Sequence, residues 1–245
     1  MIRSQWIGGV LEITIDRQDK RNALNHAMYD ELGRLVEEAD ATAHCAAIVL
    51  TGAGGMFTAG ADIGDFQTKR GHEDSPAVRF LRKLVRTDVP VIAAVEGFAI
   101  GIGSTMLQHM DFVYATAQTR FRMPFVQLGL CPEAGSSYLL ERIVGPRRAR
   151  EWLLQCRPFD GAEAHAAGFV TALAEPGQTL ALARATAADL ARLPRPSVRK
   201  GKALLRDVQQ AEVMHAFDVE VRAFADLLNT EETQRIFQAF LEKAR

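Results

Sequence analysis

The apolar residues of this chain recur with two different spacings that alternate along residues 1–175. Stretches rich in Val, Ile and Leu, with a period of two or a continuous apolar run, predict buried β-strands. Stretches with apolar residues three or four positions apart predict helices. The predicted strands cover residues 10–16, 46–51, 91–95, 112–116 and 169–173, and the predicted helices cover residues 25–40, 75–87 and 103–109. This alternation favours an α/β fold with largely parallel strands.

The pattern changes after residue 173, where strand patterns stop and helix-forming segments follow one another. These predicted helices cover residues 177–193, 197–208, 211–228 and 231–244. Pro194 and Pro196 interrupt the region, because the residue before a proline disfavours helical backbone. We therefore predict a core over residues 1–195 and a helical C-terminal region over residues 196–245.

Composition and net charge limit the size class, the partners and the kinds of site that the sequence predicts. The 245 residues are 48% hydrophobic, which suits one large domain or one domain with an appendage. A net charge of −1 predicts neither nucleic acid nor an anionic membrane as a partner. Three widely spaced cysteines, Cys45, Cys131 and Cys156, predict neither a disulfide framework nor a metal site. With no leader pattern and no long apolar run in the sequence, we expect a soluble, cytoplasmic protein.

Two glycine-containing segments are candidates for offering backbone N–H groups to a ligand. Residues 52–60 match neither a dinucleotide fingerprint nor a phosphate-binding loop, but Gly60 permits a tight turn that frees the Ala61 N–H. The alternative is an ordinary glycine-rich turn. Residues 97–103 precede a short helix, so the Ile102 and Gly103 N–H groups lie in its unsatisfied first turn. The alternative there is that the glycines only permit close packing.

Glu133 is the best candidate for a proton-transfer group. It follows Pro132 and precedes Ala134 and Gly135, just before the Ser-capped start of another predicted helix. The alternative is a glutamate that interacts with the helix dipole or caps with Ser136 or Ser137. A hydrolytic nucleophile is poorly supported, because no histidine is paired with a serine or cysteine motif.

Four segments in succession, residues 16–24, 57–63, 97–103 and 111–115, resemble the crotonase, or enoyl-CoA hydratase/isomerase, superfamily. Residues 161–164 and 168–170 extend the similarity over nearly the whole chain. The resemblance implies a spiral of ββα turns followed by a helical trimerisation region. It also implies an acyl-coenzyme A thioester as the substrate, no separate cofactor, and a homotrimer or a dimer of trimers.

The resemblance assigns roles to particular residues. The Ala61 and Ile102 N–H groups would form the hole for the thioester oxygen. Phe224, Phe240 and Lys243 would close over the ligand, with Lys243 near a phosphate in the same or a neighbouring subunit; the alternative is an amphipathic C-terminal helix with a solvated lysine. Residues expected to contact coenzyme A, largely through backbone atoms, are Lys20, Arg21, Ala23, Leu24, Ala59, Asp62 and Ile63.

The chain departs from the hydratases of this superfamily, which use two glutamates. The corresponding positions here are Thr105 and Phe125. Residues 123–137 instead resemble the peroxisomal type of Δ3,Δ2-enoyl-CoA isomerase, whose single catalytic glutamate matches Glu133. Moving a double bond requires only the removal of one proton and its return elsewhere, which one carboxylate can perform.

These departures predict that Glu133 shuttles a proton from C2 to C4 of a 3-enoyl-CoA while Ala61 and Ile102 hold the dienolate. An apolar wall including Phe125 and Leu130 would raise the pKa of Glu133. One alternative is an enoyl-CoA hydratase or another crotonase-type enzyme that uses Glu133 and a second group. The other is a non-catalytic coenzyme A-binding module.

Overall fold

Two sheets organise the structure, a computed structural model that describes residues 1–66 and 71–243, with the backbone alone at 240, 241 and 243. The strands are β1 (Ile2–Ile7), β2 (Val10–Ile15), β3 (Ala47–Gly52), β4 (Val91–Val95), β5 (Phe98–Ile100), β6 (Phe112–Ala115), β7 (Arg120–Arg122), β8 (Phe159–Asp160) and β9 (Ala172–Leu173). The larger sheet has the order β1-β2-β3-β4-β6-β9, and all its pairs except β1 with β2 are parallel. The smaller sheet has the order β5-β7-β8. The predicted α/β class with largely parallel strands is confirmed.

Helices cover most of the remaining chain. They are α1 (His26–Ala41), α2 (Pro76–Arg86), α3 (Ile102–Thr105), α4 (Ser136–Val144), α5 (Pro146–Leu154), α6 (Gly161–Ala166), α7 (Thr179–Ala191), α8 (Arg195–Asp207), α9 (Gln210–Leu228) and α10 (Glu231–Lys243). Single 3₁₀ turns lie at Gln18–Lys20, Ile63–Phe66, Met106–His109 and Val126–Leu128. Among the helices so described, none is long and apolar enough to cross a membrane.

The larger sheet is buried on both faces, as expected for parallel strands. Alternate residues of β3 and β4 face the main core, which contains α1 and α2. The residues between them, such as Val49 and Ile92, pack against Ala183 and Ala187 of α7. This arrangement explains the continuous apolar runs that predicted these strands.

The structure differs from the sequence expectations in several places, and the three short strands of the smaller sheet were not predicted. Strand β1 was not predicted because most of its residues are exposed and carry no apolar alternation. The last predicted strand, over residues 169–173, is reduced to the two residues of β9. Pro196 lies in the first turn of α8 rather than before a helix. A proline fits the first turn because the amide it lacks has no helical acceptor there.

Arg199 joins the C-terminal helices to the core. From α8, its guanidinium donates hydrogen bonds to the carbonyl oxygens of Ala39 (3.2 Å), Asp40 (3.0 Å) and Thr42 (3.0 Å). These carbonyls close the end of α1, where a cation is favoured by the helix dipole. The guanidinium thus adds hydrogen bonds at the end of α1, where the Ala39 and Thr42 carbonyls also accept backbone amides.

We expect Arg199→Ala to lower the free energy of unfolding by about 2 kcal/mol, because the charge-assisted hydrogen bonds of the guanidinium are lost. Chemical denaturation measures the change. The neighbouring exposed residue supplies the control, since Lys200→Ala should change stability by less than about 0.5 kcal/mol. Equal effects of the two substitutions would contradict the anchoring role.

Candidate active site

Ala61, Ile102 and Glu133, which lie far apart in sequence, line one cavity of about 670 Å³. The β3–α2 segment supplies Ala61, the start of α3 supplies Ile102, and the loop before α4 supplies Glu133. The apolar lining of the cavity includes Leu24, Ile63, Phe125, Leu130, Phe217 and Phe224. The structure therefore brings together the three residues that the sequence analysis assigns to catalysis.

The Ala61 amide lies between two backbone hydrogen bonds that involve its neighbours. The Leu24 N–H donates to the Gly60 carbonyl, and the Asp62 N–H donates to the Leu24 carbonyl, both at 2.8 Å. Among the residues that the structure describes, the Ala61 N–H itself has no acceptor. This amide is consequently available to a ligand in the cavity.

The Ile102 amide is left available by the way in which α3 begins. Gly101 has a left-handed φ of 57°, and its N–H donates to the Arg122 carbonyl at 2.8 Å. The Gly101 carbonyl accepts from the Ser104 and Thr105 amides at 2.9 and 3.0 Å. Within the described part of the chain, the Ile102 N–H has no acceptor, as expected in the first turn of a helix.

Gly60 allows the two amide-bearing segments to approach each other. Its φ is +91°, and a Cβ built on it would lie 2.5 Å from the Ile100 carbonyl oxygen. Thr58 aligns the same segments, since its N–H donates to the Phe98 carbonyl (3.2 Å) and its carbonyl accepts from Ile100 (3.1 Å). A side chain at position 60 would therefore separate the segments.

Glu133 is half-buried in the wall of the cavity, and its Oε1 accepts a hydrogen bond from the Thr105 hydroxyl. Burial raises the pKa of Glu133 to about 8, and the negative charge of Glu220 adds to the rise, whereas the Thr105 hydrogen bond opposes it. Phe125 and Leu130, which were expected to form an apolar wall, are both buried and line this cavity. A carboxyl group with such a pKa can exist in either protonation state near neutral pH.

His109 supports the loop that carries Glu133. Its buried Nε2 lies 2.8 Å from the Ala134 carbonyl oxygen, which can only accept, so this nitrogen carries the hydrogen. Burial lowers the pKa of His109 to about 4, and the ring is therefore neutral near pH 7. Ala134 has a left-handed φ of 62°, an unusual conformation for a residue with a side chain.

Glu220 is a buried acid of the site that the sequence analysis missed. From α9, its carboxylate accepts the Gly135 N–H (2.6 Å) and the Ser137 N–H (2.8 Å). These amides belong to the start of α4, where a serine cap was expected; instead Gly135 is the N-cap and provides no side chain. The available sequence signal was the spacing, because Glu220 follows the buried residues Val213 and Phe217 on the apolar face of α9.

A family model described as enoyl-CoA hydratase/isomerase matches residues 6–245. The chain belongs to the enoyl-CoA hydratase/isomerase family. The structure of OdaA from Pseudomonas aeruginosa is 37% identical in sequence, with a TM-score of 0.95 and coverage of 98% of both chains. The predicted crotonase fold is therefore confirmed.

Relatives in this enoyl-CoA hydratase/isomerase family carry different names. The short-chain-enoyl-CoA hydratase of Clostridium acetobutylicum is 30% identical over 243 residues, which cover 97% of this chain and 93% of the relative. Enoyl-CoA delta isomerase 2 of Rattus norvegicus is 33% identical over 220 residues, which cover 87% of this chain and 56% of the rat protein. These relatives have in common that each is a crotonase-type acyl-CoA enzyme.

The residues expected to contact coenzyme A fall into three groups. Leu24, Ala59 and Ile63 line the cavity, as does Phe224. The side chains of Phe240 and Lys243 lie outside the described part of the structure. Lys20, Arg21, Ala23 and Asp62 belong to the adjoining loops and are not among the lining residues.

The loops next to the cavity are fixed to each other by a small polar network. Asp62 forms an ion pair with Arg17 at 2.7 Å, and the same guanidinium donates to the Ala23 carbonyl at 3.2 Å. The Arg21 carbonyl accepts from the Ala59 N–H at 3.0 Å. Contact of these residues with coenzyme A stays a prediction, but the network holds residues 17–23 against the segment that carries Ala61.

Proposed function

We propose that this protein is a Δ3,Δ2-enoyl-CoA isomerase that converts a 3-enoyl-CoA into a 2-enoyl-CoA. The observation that carries the proposal is the environment of Glu133, a buried carboxyl group that accepts the Thr105 hydroxyl. Thr105 stands at the first position where the resemblance places a hydratase glutamate, and Phe125 stands at the second. A hydroxyl and an apolar ring thus occupy the places of both acids.

The proposed reaction begins when the Glu133 carboxylate removes a proton from C2 of the substrate. The electrons of the C2–H bond form a dienolate, whose charge lies largely on the thioester oxygen. The Ala61 and Ile102 N–H groups, unpaired within the described structure, would donate to that oxygen. One such donor is typically worth about 3 to 4 kcal/mol in the transition state.

The protonated Glu133 then returns the proton to C4, which moves the double bond and restores the carboxylate. The same carboxyl group acts first as a base and then as an acid, so its pKa should lie near the working pH. Burial and the neighbouring negative charge support this requirement, since the pKa of Glu133 is raised to about 8. The Thr105 hydroxyl would orient the carboxyl group throughout the cycle.

We expect Glu133→Gln to slow the isomerisation of a 3-enoyl-CoA by about 1,000-fold at saturating substrate, because an amide cannot accept and return the proton. Conversion of 3-enoyl-CoA to 2-enoyl-CoA should be measured beside the hydration of 2-enoyl-CoA. Glu141→Gln, a change of the same type at an exposed position of α4, serves as the control and should leave the rate unchanged.

Three results would contradict this proposal in different ways. Full isomerase activity in Glu133→Gln would remove Glu133 from the mechanism. Wild-type hydration that is faster than isomerisation would favour a hydratase. Tight binding of acyl-CoA thioesters without turnover of any of them would favour a binding module.

The pH dependence provides a second test, because only the ionised form of Glu133 can remove a proton. As pH rises through about 8, the carboxylate fraction increases, so kcat/KM should rise and then level off. Thr105→Val removes a donor that stabilises the carboxylate, and it should shift this rise to higher pH by about one unit. Thr105→Ser retains the hydroxyl and is the matched control. A shift to lower pH in Thr105→Val would contradict the assigned hydrogen bond.

We also propose that the helical region after residue 195 mediates self-association into a trimer or a dimer of trimers. The support is a group of exposed apolar side chains at the end of α8: Leu204 and Leu205 are 59% and 80% exposed, and Val208, the residue that follows the helix, is 86% exposed. Apolar residues exposed next to each other on one helix are typical of an interface.

We expect Leu205→Arg to weaken this association, since the substitution places a charge within this apolar group. Sedimentation equilibrium should give the mass of three or six chains for the wild type and a lower mass for the variant. Lys200→Glu, a charge change at an exposed position of the same helix, serves as the control. A wild-type protein that sediments as a single chain would contradict the proposal.

A further inference from the structure

A second buried carboxyl group lies on the same cavity as Glu133, and the proposed proton shuttle does not use it. Glu220 is only 5% exposed and reaches the cavity wall from α9. Burying a carboxylate is costly unless hydrogen bonds compensate it. In this protein the compensation comes from the Gly135 and Ser137 amides, at 2.6 and 2.8 Å.

The backbone that supplies these amides has an uncommon shape. Ala134 and Gly135 are both left-handed, with φ values of 62° and 70°. Successive N–H groups in such a turn can converge on one anion. Here the two nearby amides of Gly135 and Ser137 contact the two oxygens of Glu220, while Glu133 immediately precedes the turn. The position of Glu133 is thereby linked to the carboxylate of another helix.

The two carboxyl groups differ in the hydrogen bonds that they receive. Burial raises the pKa of Glu220, but its carboxylate accepts two backbone N–H groups at the N-terminal end of α4, and these hydrogen bonds favour the charged form. Glu133 accepts one hydroxyl, from Thr105. When two neighbouring acids receive such unequal hydrogen bonds, the one that accepts more donors ionises first and the other keeps its proton.

Other titratable groups near this pair are neutral or already paired. His109 is neutral, and the Cys131 thiol has its pKa raised to about 11 by burial and by Glu220. Arg82 of α2, 5.5 Å from the centre of the Phe217 ring, pairs with Asp74 and Asp218, each at 2.7 Å.

The other walls of the cavity add few charged groups. Asp65, 3.7 Å from the His26 ring, Glu73 and Arg122 also line the cavity, and the Arg122 guanidinium already donates to the Cys156 carbonyl at 3.0 Å. The described side chains with which α10 lines the cavity, Ile236 and Ala239, are apolar. Among all these groups, Glu220 is the one whose charge acts on Glu133.

We propose that Glu220 is a positioning residue for Glu133: its carboxylate fixes the turn over residues 133–135, and its buried charge keeps the proton on Glu133. The proposal deepens the proposed function and rests on it, because Glu133 is taken as the proton carrier. It assigns Glu220 no contact with the substrate. The C-terminal helix α9 would thus control the protonation of a group in the core.

Glu220→Gln tests the proposal through the pH profile of isomerisation. Loss of the charge should move the rise of kcat/KM to lower pH by about one unit. Loss of one of the two acceptors should lower kcat about tenfold, with less than a twofold change in KM. Glu212→Gln, at an exposed position of the same helix, is the matched control and should change neither. A lower kcat with an unmoved pH profile would reduce Glu220 to a purely structural role and overturn the proposal.

A direct titration of the carboxyl groups in the wild-type protein tests the proposal without an activity measurement. It also does not require that Glu220→Gln folds. In wild-type protein labelled with ¹³C-glutamate, NMR should show two buried carboxyl groups that ionise at different pH values. Glu133→Gln identifies the Glu133 signal, which should be the one with the higher pKa. If Glu220 ionised at the higher pH, the proposal would be wrong.

The two proposals can fail separately. Full isomerase activity in Glu133→Gln would overturn the proposed function, whereas the order of ionisation in the NMR titration would still decide whether Glu220 keeps the proton on Glu133. Conversely, Glu133→Gln could be inactive while Glu220→Gln shows an unshifted pH profile of kcat/KM. That combination would leave the isomerase proposal standing and remove Glu220 from it.

Discussion

The close pairing of two backbone segments, residues 58–61 and 98–102, is the constraint on which the candidate site depends. Hydrogen bonds between Thr58 and both Phe98 and Ile100 align the segments, and the missing side chain of Gly60 lets them meet. The buried strand β4 leads directly into the second segment, so the position of the Ile102 amide follows from the packing of the central sheet. An oxyanion site made of backbone amides is as rigid as the sheet that carries it, and its donors need little reorganisation during a reaction.

The acid of the site is held in a different way. Glu133 lies in a loop, and three contacts from other segments define that loop: the Thr105 hydroxyl, the His109 ring and the Glu220 carboxylate. Each contact comes from a side chain of another segment, so the loop is fixed by side chains rather than by strand pairing.

The sequence predicted most of the fold because its central strands and long helices have clear periodicities. The sequence did not predict β1, because the residues of this strand are mainly exposed. It also placed Pro196 before a helix, whereas Pro196 lies in the first turn of α8. Local signals at Gly60, Gly101 and the segment around Glu133 singled out the three predicted site residues, the family resemblance assigned their roles, and all three line one cavity. Glu220 was missed because its role depends on a contact across 83 to 85 positions of the chain, which no local pattern encodes.

The contact between Glu220 and the start of α4 links the C-terminal helical region to the core. A boundary near residue 195 separates two regions of different sequence pattern, yet the charge that compensates the Glu133 loop belongs to the second region. The two regions are therefore not interchangeable parts. In a chimera that combined this core with the C-terminal helices of a relative, the donor of those helices would determine which charge acts on the pKa of Glu133.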